Sequence, residues 1–150
     1  MKLIFKGDEP HIKIAVDKAN KILNNSEFFE EIKKIPQFYN TKLTPAQISD
    51  ILREANQEIQ IETYWRFNPL KPRTCVNAKT VSATLIKLNR RCFSNNLKTA
   101  VNTLIHESVH AADFLDGTWD FTHVDNTNEG EEDNTAPWLI GKLAEQFVEP

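Results

Sequence analysis

Residues 106–110 read His106, Glu107, Ser108, Val109 and His110. On a helix, side chains four apart project from one face, one turn above the other. His106 and His110 can therefore bring two imidazole nitrogens to bear on a single tetrahedral zinc ion. Glu107, between them, then sits where a carboxylate can take a proton from a water activated by that metal. The chemistry implied is metal-assisted hydrolysis of an amide, most simply a peptide bond. The ion would polarise the carbonyl, and Glu107 would carry the water's proton to the leaving amine.

The pattern is short. With 4 His and 13 Glu among 150 residues, random placement produces it in about one chain in a hundred, so its surroundings must carry the assignment. Ser94, Asn95 and Asn96 offer capping side chains just before Leu97. Leu97, Val101, Leu104, Ile105, Val109 and Ala112 then recur at helical spacing. The spacing predicts a helix over 97–115, closed by Gly117, with His106 and His110 on a flank of its apolar stripe. The bland alternative is a pair of ordinary surface histidines.

A catalytic zinc takes three protein ligands and keeps one position open. His123 follows the motif, and with it three of the chain's 4 histidines fall close together in the sequence, His11 being the other. Glu129, with Asp133 four residues further on, is the competitor, at the spacing of thermolysin-like gluzincins. It falls in Asp125-Asn126-Thr127-Asn128-Glu129-Gly130, a turn-rich string, whereas a gluzincin glutamate sits on a helix; His123 is favoured. Asp113, on nearly the same helix face as His106, could accept a hydrogen bond from a ligand imidazole or simply face solvent. Tyr39 and Tyr64 are candidate donors to a tetrahedral oxyanion.

The run Asn102-Thr103-Leu104-Ile105-His106-Glu107, then Phe121-Thr122-His123, then Asn134-Thr135-Ala136-Pro137-Trp138 resembles small zincin metallopeptidases of the SprT-like kind. The likeness covers roughly the last third of the chain. It implies zinc on His106, His110 and His123, Glu107 as general base, and a minimal zincin-like domain. Relatives of that kind often carry a four-cysteine zinc ribbon or a basic tail for nucleic acid. This sequence has 2 cysteines, so a nucleic-acid role does not carry over. The alternatives are a zincin-fold binding or regulatory protein without hydrolytic activity, and a gluzincin-type peptidase with Glu129 as third ligand.

The elements that must position these groups are legible in outline. Leu3 to Phe5 is a short strand, and a helix begins near Pro10 with Ile12, Ala15, Val16, Ala19, Ile22 and Leu23 on one face. Ser26 caps a second helix carrying Phe28, Phe29, Ile32 and Ile35, which stops at Pro36. Thr44-Pro45-Ala46-Gln47 is a helix start with a capping box. Alternation from Ile59 to Phe67 predicts a half-buried strand, broken by Asn68 to Pro72, and Val81 to Leu88 predicts a second. Arg90 and Arg91 close that second strand, where a zincin usually pairs with its extended substrate backbone. After the motif helix and a polar, acidic stretch, Asn134 or Thr135 caps a last helix with Trp138, Ile140, Leu143, Ala144, Phe147 and Val148. Helices on either side of a small mixed sheet make an α+β class, read as one domain over 1–150.

Composition excludes more than it identifies. The apolar fraction of 40% and charged fraction of 26% are those of an ordinary globular chain, and no apolar run approaches the ~20 residues of a membrane span. The N-terminus turns polar too soon for a secretory signal, which points to a cytoplasmic protein. Cys75 and Cys92 suit one bridge or two buried thiols equally. Net charge is −3, yet Arg66, Lys71, Arg73, Lys79, Lys87, Arg90, Arg91 and Lys98 fall in residues 66–98 without an acid between them. That stretch suits an acidic partner or a solvated face balanced elsewhere; nucleic acid is unlikely at a pI near 5.8. The expected partner is a protein or peptide substrate.

If His123 is the third ligand, His123→Ala weakens zinc binding as severely as His106→Ala, while Glu129→Ala leaves one zinc per chain. Metal content after dialysis checks this, and the reverse pattern places Glu129 in the ligand set.

Overall fold

Five helices and four strands form among residues 1–66, 76–117, 121 and 134–149, which the computed structural model describes. Strand β1 (Lys2–Phe5) leads into α1 (Pro10–Leu23), where Pro10 occupies the first turn and its missing N–H costs nothing. Its buried residues are the six expected from the spacing, Ile12, Ala15, Val16, Ala19, Ile22 and Leu23. Helix α2 (Ser26–Lys33) is capped by Asn25 and not by Ser26. Asn25 is the residue with extended backbone, so its side-chain oxygen is the one placed to accept the Glu27 N–H, at 2.9 Å. Helix α3 (Pro45–Glu54) has the expected capping box: Thr44 N–H donates to Gln47 Oε1 at 2.8 Å, and Gln47 N–H to Thr44 Oγ1 at 3.3 Å. The buried Ser49 hydroxyl donates to the Phe29 carbonyl at 2.8 Å and ties α3 to α2.

Strands β2 (Glu58–Tyr64), β3 (Ala78–Ser82) and β4 (Leu85–Asn89) complete a mixed sheet of order β1-β2-β4-β3. The first three are parallel, and β3 runs antiparallel to β4 at one edge. Period-two alternation turns Leu3, Ile59, Ile61, Ile86, Leu88 and Ala78 towards the helices, where all are buried. Glu62, Tyr64, Lys79 and Lys87 fall on the other face. There Lys87 pairs with Glu62 at 3.2 Å, and the Lys79 ammonium lies 5.6 Å from the Tyr64 ring centroid. At the opposite edge the Asn20 carboxamide accepts from Leu3 N–H at 2.8 Å and donates to Leu3 C=O at 2.9 Å, satisfying backbone groups that β2 does not reach.

Two expectations about strands are corrected. The strand expected to reach Phe67 ends at Tyr64; Trp65 is 67% exposed, and Phe67 lies outside the described residues. The strand expected over 81–88 is a hairpin instead: Val81 and Ser82 end β3, Ala83 and Thr84 turn, and β4 begins at Leu85. The turn carries no glycine or asparagine, so it lacks the usual two-residue hairpin signal. A register shift between Thr80 and Ser82 further blurs the alternation. Because β4 lies between β2 and β3, it has no free edge for an added strand; β3 is the edge strand on that side.

Helix α4 (Leu97–Asp116) carries the motif and packs against β3, β4, α1 and α5 (Ala136–Ala144). Asn96 caps it by accepting the Thr99 N–H at 3.2 Å, and Gly117 ends it in the left-handed conformation, φ 72°. Beyond Gly117 the chain returns to the helix: Phe121 is buried, and its N–H donates to Asp113 Oδ1 at 3.3 Å. Cys92 is disulfide-bonded and not a free thiol, and Cys75 lies outside the described residues. No helix among the described residues is long and apolar enough to cross a membrane.

The approach of α5 to α4 depends on Gly141. A Cβ there would meet Asn102 Oδ1 at 2.7 Å, the Asn102 carbonyl at 3.1 Å and His106 Cβ at 3.3 Å. In an open helix, Gly→Ala stabilises by about 1 kcal/mol. Here Gly141→Ala is expected to destabilise by roughly 1–3 kcal/mol instead, because the helices must move apart; urea unfolding of the two chains measures it.

Candidate active site

The middle of α4 has almost no free surface. From Leu104 to Asp113 every residue is buried except His106 and His110, which are half-buried. The expected flank of an apolar stripe is thus a single exposed strip on an otherwise enclosed helix. The two imidazole rings lie there with centroids 5.0 Å apart and planes inclined at 66°. Two rings that each hold a nitrogen roughly 2.0–2.1 Å from one ion, at a near-tetrahedral angle, have centroids about 5 Å apart. The observed pair fits that requirement.

Two walls flank the strip. On one side α5 brings Trp138 edge-on to His106, with ring centroids 4.9 Å apart and planes at 77°. Trp138, on the last of the expected helices, is 38% exposed where it packs beside His106. Tyr39 belongs to the same wall: its N–H donates to the Asn134 carbonyl at 2.9 Å, and it bridges Thr135, the N-cap of α5. The other wall is β3. Tyr64, the second tyrosine considered, lies on the outward face of the sheet under Lys79, away from α4.

Glu107 points towards β3 and is only 8% exposed. Thr80 meets it twice, with Oγ1 2.6 Å from Glu107 Oε2 and 2.9 Å from the Glu107 carbonyl oxygen. Burial raises the carboxyl pKa above its ordinary 4.5, while the Thr80 hydrogen bonds oppose the shift. Ser108 does not join this chemistry: its buried hydroxyl donates to the Leu104 carbonyl at 2.7 Å. Asp113 is buried at 1% exposure, so it is no solvent-facing residue, and one of its oxygens holds the backbone of Phe121.

Of the residues singled out in the sequence, the fold brings His106, Glu107 and His110 together. His123 and Glu129 lie outside the described residues, and among those described no group of three His, Cys, Asp or Glu converges on a metal position. His11 stands apart, with its ring 6.3 Å from that of Phe93. In the basic stretch, Arg90 pairs with Glu9 and Lys87 with Glu62, so part of that charge is balanced within the fold. Thr80 and Gly141 are neighbours of the motif that sequence reasoning missed, and Trp138 was named without its place beside His106. Only the spacing of Trp138 and Gly141 on one helix face offered a signal.

No protein-family model, no curated protein and no solved structure matches this chain.

The raised pKa of Glu107 sets a pH dependence of stability. The folded state binds this proton more tightly than the unfolded chain, so stability is lost as pH rises from 4.5 through the folded value. In EDTA-treated protein, Glu107→Gln is therefore expected to melt higher than the wild type at pH 7–8. The difference closes as pH falls below 4.5; thermal melts across that range check it.

Proposed function

We propose that this chain is a zincin-like, zinc-dependent metallopeptidase. The observation that carries the reading is the enclosure of α4: its middle turns expose only His106 and His110, at the ring spacing two zinc ligands need, with a buried carboxylate beside them. His106 and His110 would hold the ion, with His123 as the third ligand. Two features support His123. It follows Phe121 by two residues, a span of at most about 7 Å, and Phe121 is anchored to Asp113, one turn beyond His110 on α4. Zinc bound there would supply Lewis acidity, lowering the pKa of a water and polarising a carbonyl.

The chain's own residues do the rest. Glu107 accepts the proton of the attacking water and delivers it to the leaving amine nitrogen. Its burial keeps the carboxylate poorly solvated and hence more basic than an exposed one. Trp138 packs edge-on against the His106 ring and limits its rotation. Trp138 and Tyr39, both partly exposed, would offer apolar surface on the α5 side to a substrate side chain. Edge strand β3 provides the other wall, where an extended peptide could lie. The substrate class is accordingly a protein or peptide segment in extended conformation.

The reading predicts one zinc per chain, measured by metal analysis after dialysis, and its loss in His106→Ala and His110→Ala. Glu107→Gln keeps the zinc and loses peptide hydrolysis by about 100-fold or more, because a carboxamide cannot take the proton. Full activity in Glu107→Gln would overturn the enzyme reading, and loss of zinc there would make Glu107 a ligand.

A further inference from the structure

Resting on that peptidase reading, we infer that Thr80 is the positioning residue for Glu107, holding one carboxylate oxygen so that the other is presented to the reacting water.

Thr80 sits on the helix-facing side of β3, opposite Ile86 of β4. Its Oγ1 lies 2.6 Å from Glu107 Oε2 and 2.9 Å from the Glu107 main-chain oxygen. A hydroxyl has one proton to give, and an ionised carboxylate is the stronger acceptor, so the shorter contact takes it. The carboxylate is thereby held at Oε2, which leaves Oε1 to exchange protons with water and leaving group. A glutamate side chain has three rotatable bonds, and ordering it at the moment of reaction would raise the barrier. The register shift beginning at Thr80 marks where β3 departs from regular pairing with β4 beside this contact.

Thr80→Val removes the hydroxyl at nearly constant volume in a strand that favours β-branched residues, and Thr80→Ser keeps it. With the full chain loaded with zinc and fluorescein-labelled casein as substrate, Thr80→Val is expected to lower kcat about tenfold or more with KM little changed. Thr80→Ser is expected to recover most of that loss. Zinc affinity, read by chelator competition, stays at the wild-type value in both, since neither touches His106 or His110. In EDTA-treated protein, Thr80→Val lowers the Tm by a few degrees, and the drop disappears in a Glu107→Ala background because the partner is gone. Wild-type kcat in Thr80→Val, no recovery in Thr80→Ser, or an undiminished Tm drop with Glu107→Ala would each overturn the role of Thr80. If Glu107→Gln is dead while Thr80→Val is fully active, only this inference falls; if the zinc-loaded wild type cleaves nothing, the peptidase reading falls and takes it along.

Discussion

Enclosing a helix on several sides requires small residues where backbones approach, and α4 is enclosed by the sheet, α1 and α5. Ala100, Ala111 and Ala112 are buried on its own surface, and Gly141 admits it to α5. Interiors pack at the density of organic crystals, so a helix seated this way has little freedom to rotate or slide. Side chains projecting from it inherit that fixity. His106 and His110 therefore hold a fixed separation, and Glu107 meets Thr80 on the sheet. The geometry of these three residues is a consequence of core packing.

The same enclosure sets the electrostatics. A carboxyl group removed from water favours its neutral form, and hydrogen bonds from the side chain and main chain of Thr80 offset this only in part. The fold thus carries an acid whose charge is costly where it stands, beside two half-buried imidazoles. A cation at those rings would favour the ionised form, so metal binding and the charge of Glu107 would be coupled. Such a group is expensive for a structural residue and reasonable for one that exchanges protons.

Helix chemistry is local, and it was largely legible. The Thr44 capping box, the Asn96 cap and the left-handed Gly117 are set by residues within a few positions of each other, and the buried face of α1 follows from spacing alone. Helix α2 shows the limit of that reading, since Asn25 and Ser26 are both competent caps and only backbone conformation distinguishes them. Strand chemistry is non-local, and there the reading held for Leu3 to Phe5 and for the start of β2 but missed the hairpin. A hairpin without glycine at its turn looks like one long strand, and which strand forms the edge of the sheet is decided by pairing partners far away in sequence. Thr80 was invisible for that reason: its partner is 27 residues away. Trp138 is apolar by residue type yet stays 38% exposed, because its ring packs edge-on against the half-buried His106.

Helix α5 is fastened along its whole length. The Tyr39 N–H holds the Asn134 carbonyl at its start, Gly141 sits flush against α4 midway, and Asn102 Nδ2 donates to Glu145 Oε1 at 2.5 Å just beyond its end. A wall pinned at three points does not swing about a hinge, since hinge motion needs one end left loose. What remains adjustable on that wall is rotation of the Trp138 side chain about its two torsions. On the peptidase reading, a substrate side chain lying against α5 would meet a wall fixed in place, with the Trp138 ring as its adjustable part.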